Sequence, residues 1–178
     1  MGDKPSHATA TGERGMQGTG QVEPEATDRE PAAALARHAF SVGGLNLLVG
    51  EGTLCEVMEV PAIARVPHTV PWLLGLFNLR GEVVPAFDMA RALGLRGVRQ
   101  SNSKLLVIGR GPAAAGVLID DLPTLQRFTL EERVTEHSTL PSVLESSVTG
   151  CFARDGKEWF EFSHERFFQS IAADVPLR

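Results

Sequence analysis

The stretch that decides the fold spans residues 67–94 and reads PHTVPWLLGLFNLRGEVVPAFDMARALG. Its centre predicts a β-hairpin, with one strand over residues 76–80 and the return strand over residues 83–87. Gly81 favours so tight a reversal because glycine adopts positive φ without a Cβ clash. Pro85 lies inside the return strand, and since proline cannot donate to a ladder, we expect that strand to be an edge or to end early.

Arg80 stands at the tip of this hairpin, between flanks that are almost wholly apolar. A guanidinium in that position is a poor core element and a good docking point for a partner. Composition alone also allows a plain hairpin turn from which Arg80 points into solvent. The two interpretations differ in whether the guanidinium has a partner outside the fold.

The same stretch resembles the signature of the CheW family, the adaptor proteins of bacterial chemosensory arrays. The family pattern is a proline-led apolar turn, a glycine, an N-[LIV]-R-G hairpin, an apolar-Pro strand, then Asp and a short helix. Its positions are filled here, in order, by Gly75, Asn78, Leu79, Arg80, Gly81, Pro85 and Asp88. The resemblance extends to an apolar-x-Glu-apolar pattern at residues 54–57 and to a G-[LIV]-x-V-D-x-[LIV] pattern at residues 116–122. One departure is Leu47, which stands where the family often has an aromatic residue.

The resemblance implies a mainly β protein with a CheW-like fold: two small five-stranded SH3-like β-barrels packed together, with short helices and a C-terminal helix. Short glycine-punctuated strands at residues 38–42 and 45–49 independently favour a small antiparallel barrel over a sandwich of long strands. Further strands are predicted at residues 104–108, 114–119, 148–153 and 157–162. Asp88 is expected to cap a short helix and Ser163 the closing one. Residues 128–147 are polar and are expected to be a surface excursion.

Composition divides the chain into residues 1–36, a predicted disordered tail, and residues 37–178, a CheW-like domain of two lobes. The tail lacks aromatic residues and has few large apolar ones. A net charge of −5 argues against a nucleic-acid partner, and no apolar run is long enough to insert into a membrane. Cys55 and Cys151 stand apart from any C-x-x-C pattern, which indicates neither a zinc site nor a disulfide framework and favours a cytoplasmic setting.

Candidate catalytic groups do not form a set. The five histidines are scattered and no G-x-S-x-G elbow occurs. His164, beside Glu165, is expected on an exposed helix surface, and Cys151 is expected to be a small buried strand residue. We therefore predict a protein that is not an enzyme and needs no cofactor. The alternative is an unrelated small-barrel enzyme or ligand-binding module, which would have a deep polar pocket.

The partners follow from the resemblance alone. In the family, one face of the first barrel binds the regulatory domain of a CheA-type histidine kinase. A groove between the barrels accepts the cytoplasmic tip of a methyl-accepting chemoreceptor. Carried over by position, the expected partner-binding residues are Leu54, Glu56, Val57, Asn78, Arg80 and Gly81 on the first lobe, and Leu105, Gly116, Val117 and Leu122 on the second-lobe side of the groove. Glu56 and Arg80 could instead pair with each other across adjacent strands.

The resemblance also implies a cytoplasmic protein that is recruited to membrane-associated receptor arrays. Its pathway stays open at this point. The run PWLLGLFNLRG is similar to the PilI branch of the family, which serves type IV pilus twitching motility, and flagellar chemotaxis is the other candidate.

Overall fold

The computed structural model describes residues 34–96 and 103–173, all within one compact unit that spans residues 31–178. The strands are β1 (Leu35–Val42), β2 (Leu45–Val49), β3 (Cys55–Glu59), β4 (Leu73–Leu79), β5 (Glu82–Phe87), β6 (Lys104–Ile108), β7 (Ala115–Ile119), β8 (Thr124–Phe128), β9 (Arg133–Val134), β10 (Val148–Arg154) and β11 (Lys157–Phe162). The α-helices are α1 (Met89–Ala92), α2 (Ser142–Glu145) and α3 (His164–Ala173). Most of the expected tail, residues 1–33, and residues 97–102 lie outside the described residues.

The strands form two sheets, and these do not follow each other along the chain. The five-stranded sheet has the order β3-β6-β7-β5-β4 and comes from the middle of the sequence. The six-stranded sheet has the order β8-β1-β2-β11-β10-β9, so it joins the first hairpin to the last one. Neighbouring strands are antiparallel except for the parallel pairs β2–β11 and β5–β7. The chain therefore does not complete one sheet before it begins the other.

The five-stranded sheet closes on itself and forms the five-stranded barrel. Ala64 follows edge strand β3, and its N–H donates to the carbonyl of Leu76 on edge strand β4 at 2.8 Å. The N–H of Leu76 donates back to the carbonyl of Ala64 at 2.9 Å. Gly75, with a φ of 140°, permits this approach, because a Cβ there would lie 2.2 Å from the carbonyl oxygen of Ala64. The barrel interior is filled by Phe77, Val84, Ala86, Leu105, Val107, Ala114 and Leu118.

The six-stranded sheet curls in the same way and forms the six-stranded barrel. Phe128 on edge strand β8 stacks on Phe152 of β10, with ring centroids 4.7 Å apart, although three strands separate them in the sheet order. The guanidinium of Arg154 lies over the Phe128 ring at 4.5 Å. Ala39 and Leu48 complete this interior. The expected pair of small barrels is confirmed, and the sixth strand of this one is the two-residue β9.

A larger core joins the two barrels. Leu106 and Ile108 of β6 face this shared core, whereas Leu105 and Val107 of the same strand face the barrel interior. A strand that is buried on both faces is apolar at every position, which explains the runs LLVI and AGVLI in β6 and β7. Phe167 and Ile171 of α3 pack into the same shared core. The predicted C-terminal helix, α3, therefore packs against both barrels through the shared core.

The strongly patterned elements were predicted and the weakly patterned ones were not. The hairpins β4–β5, β6–β7 and β10–β11 and both capped helices lie where expected, with Asp88 accepting from the N–H of Arg91 and Ser163 from that of Arg166. Strand β8 was missed because its sequence, TLQRF, is largely exposed on both faces and shows no alternation. Strand β1 starts earlier than expected because Leu35 pairs with Phe128.

Candidate functional site

The tip of the β4–β5 hairpin is a two-residue turn formed by Arg80 and Gly81. Both residues have positive φ, 52° and 93°, which is the combination that a type I′ turn requires. The N–H of Gly81 donates to the side-chain oxygen of Asn78 at 3.1 Å. A Cβ at Gly81 would meet nothing within 4 Å, so this glycine serves the backbone conformation and not the packing. Its expected use in a tight reversal is confirmed.

Arginine is not a residue that stabilises a turn of this type. Left-handed backbone disfavours most side chains by about 1 kcal/mol or more relative to glycine. Arg80 exposes 77% of its side chain, so burial does not compensate for the strain. Strain at an exposed cation indicates a use for the guanidinium outside the fold.

Arg80 and Glu56 form an ion pair across the open end of the five-stranded barrel. A guanidinium nitrogen of Arg80 donates to a carboxylate oxygen of Glu56 at 2.7 Å. The alternative in which these two side chains pair with each other is therefore observed, but not between adjacent strands, because β3 and β4 are the two edges of the sheet. Closure of the barrel brings those edges together. An exposed pair of this kind contributes about 0.2–1 kcal/mol to stability, so a partner can replace it with little loss to the fold.

The ion pair lies on the rim of a pocket of about 410 Å³, here called the barrel-mouth pocket. Its apolar wall is formed by Leu79, Val107 and Ala114, which pack in or against the barrel interior. Its rim carries Glu56, Arg80, Glu82 and Arg110. Two carboxylates facing two guanidiniums give a site that can exchange ion pairs with a protein surface of mixed charge.

A second exposed surface, here called the inter-barrel surface, comprises His38, Leu54 and Leu125, and Leu122 lies three residues before Leu125 in the chain. Leu54 precedes β3 and lines the same cleft as His38 of β1. His38 faces Leu125 across the β1–β8 ladder. All three leucines are more than half exposed, which is the chemistry of a surface that accepts apolar side chains.

The expected partner-binding residues divide into an exposed and a buried group. Leu54, Val57, Asn78, Arg80, Gly81 and Leu122 are exposed and Glu56 is half-buried. Leu105 and Val117 are fully buried, in the barrel interior and the shared core respectively. A Cβ at Gly116 would lie 2.9 Å from the side chains of Phe77 and Leu105.

The expected position of three of these residues is therefore wrong. Leu105, Gly116 and Val117 belong to the same sheet as Glu56 and do not line a second-lobe groove, because β6 and β7 are inner strands of the five-stranded barrel. That a partner contacts any of the ten positions stays a prediction. For the three buried residues, the structure shows a packing role.

The expectation that the strand containing Pro85 is an edge strand or ends early is wrong, because β5 is an inner strand and continues to Phe87. Strand β5 is an inner strand, but its ladder with β7 includes only Ala86 and Phe87. The half of β5 up to Pro85 is therefore paired on one side only. Sequence reasoning missed the resulting surface, on which Val83 is largely exposed beside Leu76.

The expectation that His164 is exposed is wrong. Only 8% of its surface is accessible, because the turn between β6 and β7 covers the start of α3. Burial lowers the pKa of His164 from its ordinary value. Cys151 is buried, as expected, and burial raises the pKa of its thiol.

Sequence reasoning also missed Arg37, a buried cation of β1. Its guanidinium donates to Glu161 of β11 at 2.5 Å and to Glu51 at 3.0 Å. Only 9% of its side chain is exposed. No local motif marks this arginine, because its partners lie far away in sequence.

No helix within residues 34–96 and 103–173 is long and apolar enough to cross a membrane.

Comparisons with known proteins agree on one family. A family model described as a CheW-like domain matches residues 39–172. Protein PilI of Pseudomonas aeruginosa is 27% identical over 126 residues, which cover 70% of this chain and 70% of PilI. The chemotaxis protein CheW of Helicobacter pylori is 31% identical over 84 residues, 47% of this chain and 51% of that protein. Protein FrzA of Myxococcus xanthus is 31% identical over 94 residues, 52% of this chain and 59% of FrzA.

The fold agrees with a solved structure. The crystal structure of the scaffolding protein TtCheW from Thermoanaerobacter tengcongensis superposes with a TM-score of 0.60 at 20% sequence identity. The superposition covers 73% of this chain and 89% of that chain. It shows that the two-barrel architecture is shared.

Proposed function

The chain belongs to the family of CheW-like domain proteins, and on that premise we propose that it is a non-catalytic signalling scaffold. It couples transmembrane chemoreceptors of the methyl-accepting type to a CheA-type histidine kinase. The observation that carries the proposal is the backbone strain at Arg80. An exposed arginine in left-handed conformation is retained at some loss of stability, which is expected of a residue that binds a partner.

The kinase regulatory domain binds the barrel-mouth pocket in this proposal. Arg80 and Glu56 offer charges at the rim, and Val57 lies exposed next to Glu56 on β3. Exposed ion pairs fix register and partner choice, whereas apolar contacts supply most of the affinity. Asn78 and Gly81 hold the turn that presents the guanidinium.

The receptor tip binds the inter-barrel surface. A receptor hairpin presents the apolar stripes of two helices, and such stripes bury well against exposed leucines. The exposed leucines at the junction of the barrels are Leu54, Leu122 and Leu125. The two surfaces adjoin at Leu54, which lines both, so the two partners would lie side by side on the scaffold.

The alternative, an unrelated small-barrel enzyme or ligand-binding module, has less support. The barrel-mouth pocket holds salt-bridged charges, and burial raises the pKa of its one thiol, Cys55, which disfavours the reactive thiolate. A thermal-shift screen against nucleotides, metals and small ligands separates the two functions. A specific stabilisation of several degrees by one compound would favour the alternative.

The pathway within the proposal is type IV pilus twitching motility, with flagellar chemotaxis as the second candidate. Similarity to PilI over 70% of the chain supports the first, and the shorter similarity to a chemotaxis CheW supports the second. The scaffold acts in the cytoplasm at membrane-associated receptor arrays. Its partner-binding part begins at β1.

A pull-down with matched leucine variants tests the receptor side. The full chain is offered a purified CheA-type regulatory domain and a receptor cytoplasmic hairpin from the same organism. Leu122→Asp is expected to lose the receptor hairpin and to keep the kinase domain. Leu130→Asp is the control, because Leu130 is 62% exposed and Leu122 63%, and it should keep both. Failure of the unmodified chain to bind either partner would refute the proposed function.

A further inference from the structure

His164 is packed between the two barrels by residues that belong to both. It is the first residue of α3, which follows β11 of the six-stranded barrel. Its Nε2 is buried without a hydrogen-bond partner of normal geometry. A Cβ at Gly109 would lie 2.7 Å both from this Nε2 and from the carbonyl oxygen of Ala113. The imidazole therefore lies directly against the turn between β6 and β7 of the five-stranded barrel.

We propose that His164 is a positioning residue, whose uncharged ring seats the β6–β7 turn and so holds one wall of the barrel-mouth pocket in the shape that a partner binds. This proposal rests on the proposed function for its binding consequence. Its structural consequence, an ordered turn that depends on the ring, can be measured without any partner.

The turn connects the ring to the pocket through a few hydrogen bonds. The N–H of Gly109 donates to the carbonyl of Leu54 at 2.9 Å, and that of Ala114 donates to Gly111 at 3.0 Å. Gly109 has a φ of 82°, and a side chain there would collide with the Ala113 carbonyl. Gly109, Arg110 and Ala114 also line the barrel-mouth pocket. A displacement of the turn therefore displaces the pocket wall.

The surroundings of the ring disfavour a positive charge. Burial lowers the pKa of His164 below its ordinary 6.5, and this outweighs the opposing effects of Glu165 and the Ala113 carbonyl. The N-terminal end of α3 adds a positive helix dipole. The charged groups that face the histidine and its turn are Arg37, Glu51, Arg133, Glu161, Glu165 and Arg110. Arg37 already binds Glu51 and Glu161, so those carboxylates are not free to pair with an imidazolium.

Protonation therefore favours states in which the ring is released. A histidine whose pKa is lowered by folding costs no stability above its ordinary pKa of 6.5. Below that value the open or unfolded state binds the proton more readily, so the closed turn loses stability as pH falls. Opening of the turn alone is enough to hydrate the ring, so we expect local opening before global unfolding.

Hydrogen exchange measured by NMR on the full chain tests this. The amides of Gly109, Ala113 and Ala114 should lose about tenfold in protection between about pH 7.5 and about pH 5.5, after correction for intrinsic rates. The amide of Leu105, at the end of β6 remote from the turn, should not change. In His164→Gln the pH dependence of the turn amides should vanish, and in the control His68→Gln, at an exposed position outside both binding surfaces, it should persist.

Two results would overturn the proposal. One is turn protection that does not change with pH in the unmodified chain, and the other is a pH dependence that survives in His164→Gln. If His164→Gln does not fold, the ring resonances of the unmodified chain decide the question, because they must titrate together with the turn amides. Affinity for a CheA-type regulatory domain should fall over the same pH range. If that domain binds at no pH, the proposed function fails while the exchange result stands.

Discussion

Arg80 and Arg37 are both paired with glutamates, and the two pairs have opposite relations to the fold. Arg80 lies 77% exposed at a strained hairpin tip and holds Glu56 at 2.7 Å. Arg37 is 9% exposed, lies in the regular strand β1, and holds Glu161, itself 13% exposed, at 2.5 Å. Removing a buried partner leaves a desolvated charge behind, whereas removing an exposed partner returns the other one to water.

The two environments predict that Arg37 serves the fold, and we propose that Arg80 serves a partner. Arg37 joins β1 to β11 and to Glu51 after β2, so its three elements depend on it. Arg80 joins two edges that the Ala64–Leu76 bridge already closes. We therefore expect folding to tolerate the loss of Arg80, which lies in the recognisable motif, and not the loss of Arg37, which lies in none.

The largest effect is expected for Arg37→Ala. It leaves Glu161 buried without its partner, which should lower the free energy of unfolding by about 3 kcal/mol. Urea denaturation measures this, with Arg127→Ala on the exposed face of β8 as the control. Replacing both members, by Arg37→Met with Glu161→Met, should recover most of the loss. If Arg37→Ala were as stable as the unmodified chain, Arg37 would contribute no more to the fold than Arg80 is expected to.

The ion pair between Arg154 and Glu132 is intermediate in exposure between the other two. The pH dependence of stability tests its contribution to the fold. Hydrogen bonds from Arg154 and from the N–H of Thr129 lower the pKa of Glu132 from 4.5 to about 2. A carboxylate with a lowered pKa stabilises the fold above its ordinary value, and this contribution is lost as pH falls from about 4.5 toward about 2. Glu132→Gln should therefore reduce stability at neutral pH and flatten the acid limb of the stability curve. An unchanged acid limb would show that Glu132 titrates normally.

A smaller effect of opposite sign is expected for Arg80→Gly. Glycine relieves the left-handed strain, at the cost of a more flexible unfolded chain, so stability should stay constant or rise by up to about 1 kcal/mol. Binding of the kinase regulatory domain should nevertheless fall, because the guanidinium is gone. Thermal unfolding measures the stability of the variant, and a binding titration on the same sample measures its affinity for the kinase regulatory domain. A clear loss of stability would make Arg80 structural.

The sequence predicted what is locally encoded. The Asn78–Gly81 turn, the Asp88 and Ser163 caps and the hairpin β10–β11 depend on neighbouring residues, so their patterns were sufficient. Two small barrels followed from the family resemblance and from short strands. The exposed part of the candidate site, around Arg80, could also be predicted from the sequence motif.

What the sequence could not predict depends on long-range pairing. The parallel contact between β2 and β11 places the first and last hairpins in one barrel, and nothing in either segment encodes that choice. For the same reason Leu105 and Val117 were assigned to a groove and lie in cores. The burial of His164 has no local signal, because the turn that covers it lies about 50 residues earlier in the chain.

The central claim is that Arg80 belongs to a binding surface and not to the fold. The most direct test measures the melting temperature of Arg80→Asp and its affinity for a CheA-type regulatory domain, with Arg65→Asp as an exposed control on the same barrel. Aspartate tolerates left-handed backbone, so the melting temperature should shift by no more than about 2 °C while binding is abolished. An unfolded variant, or one that binds as tightly as Arg65→Asp, would contradict the account.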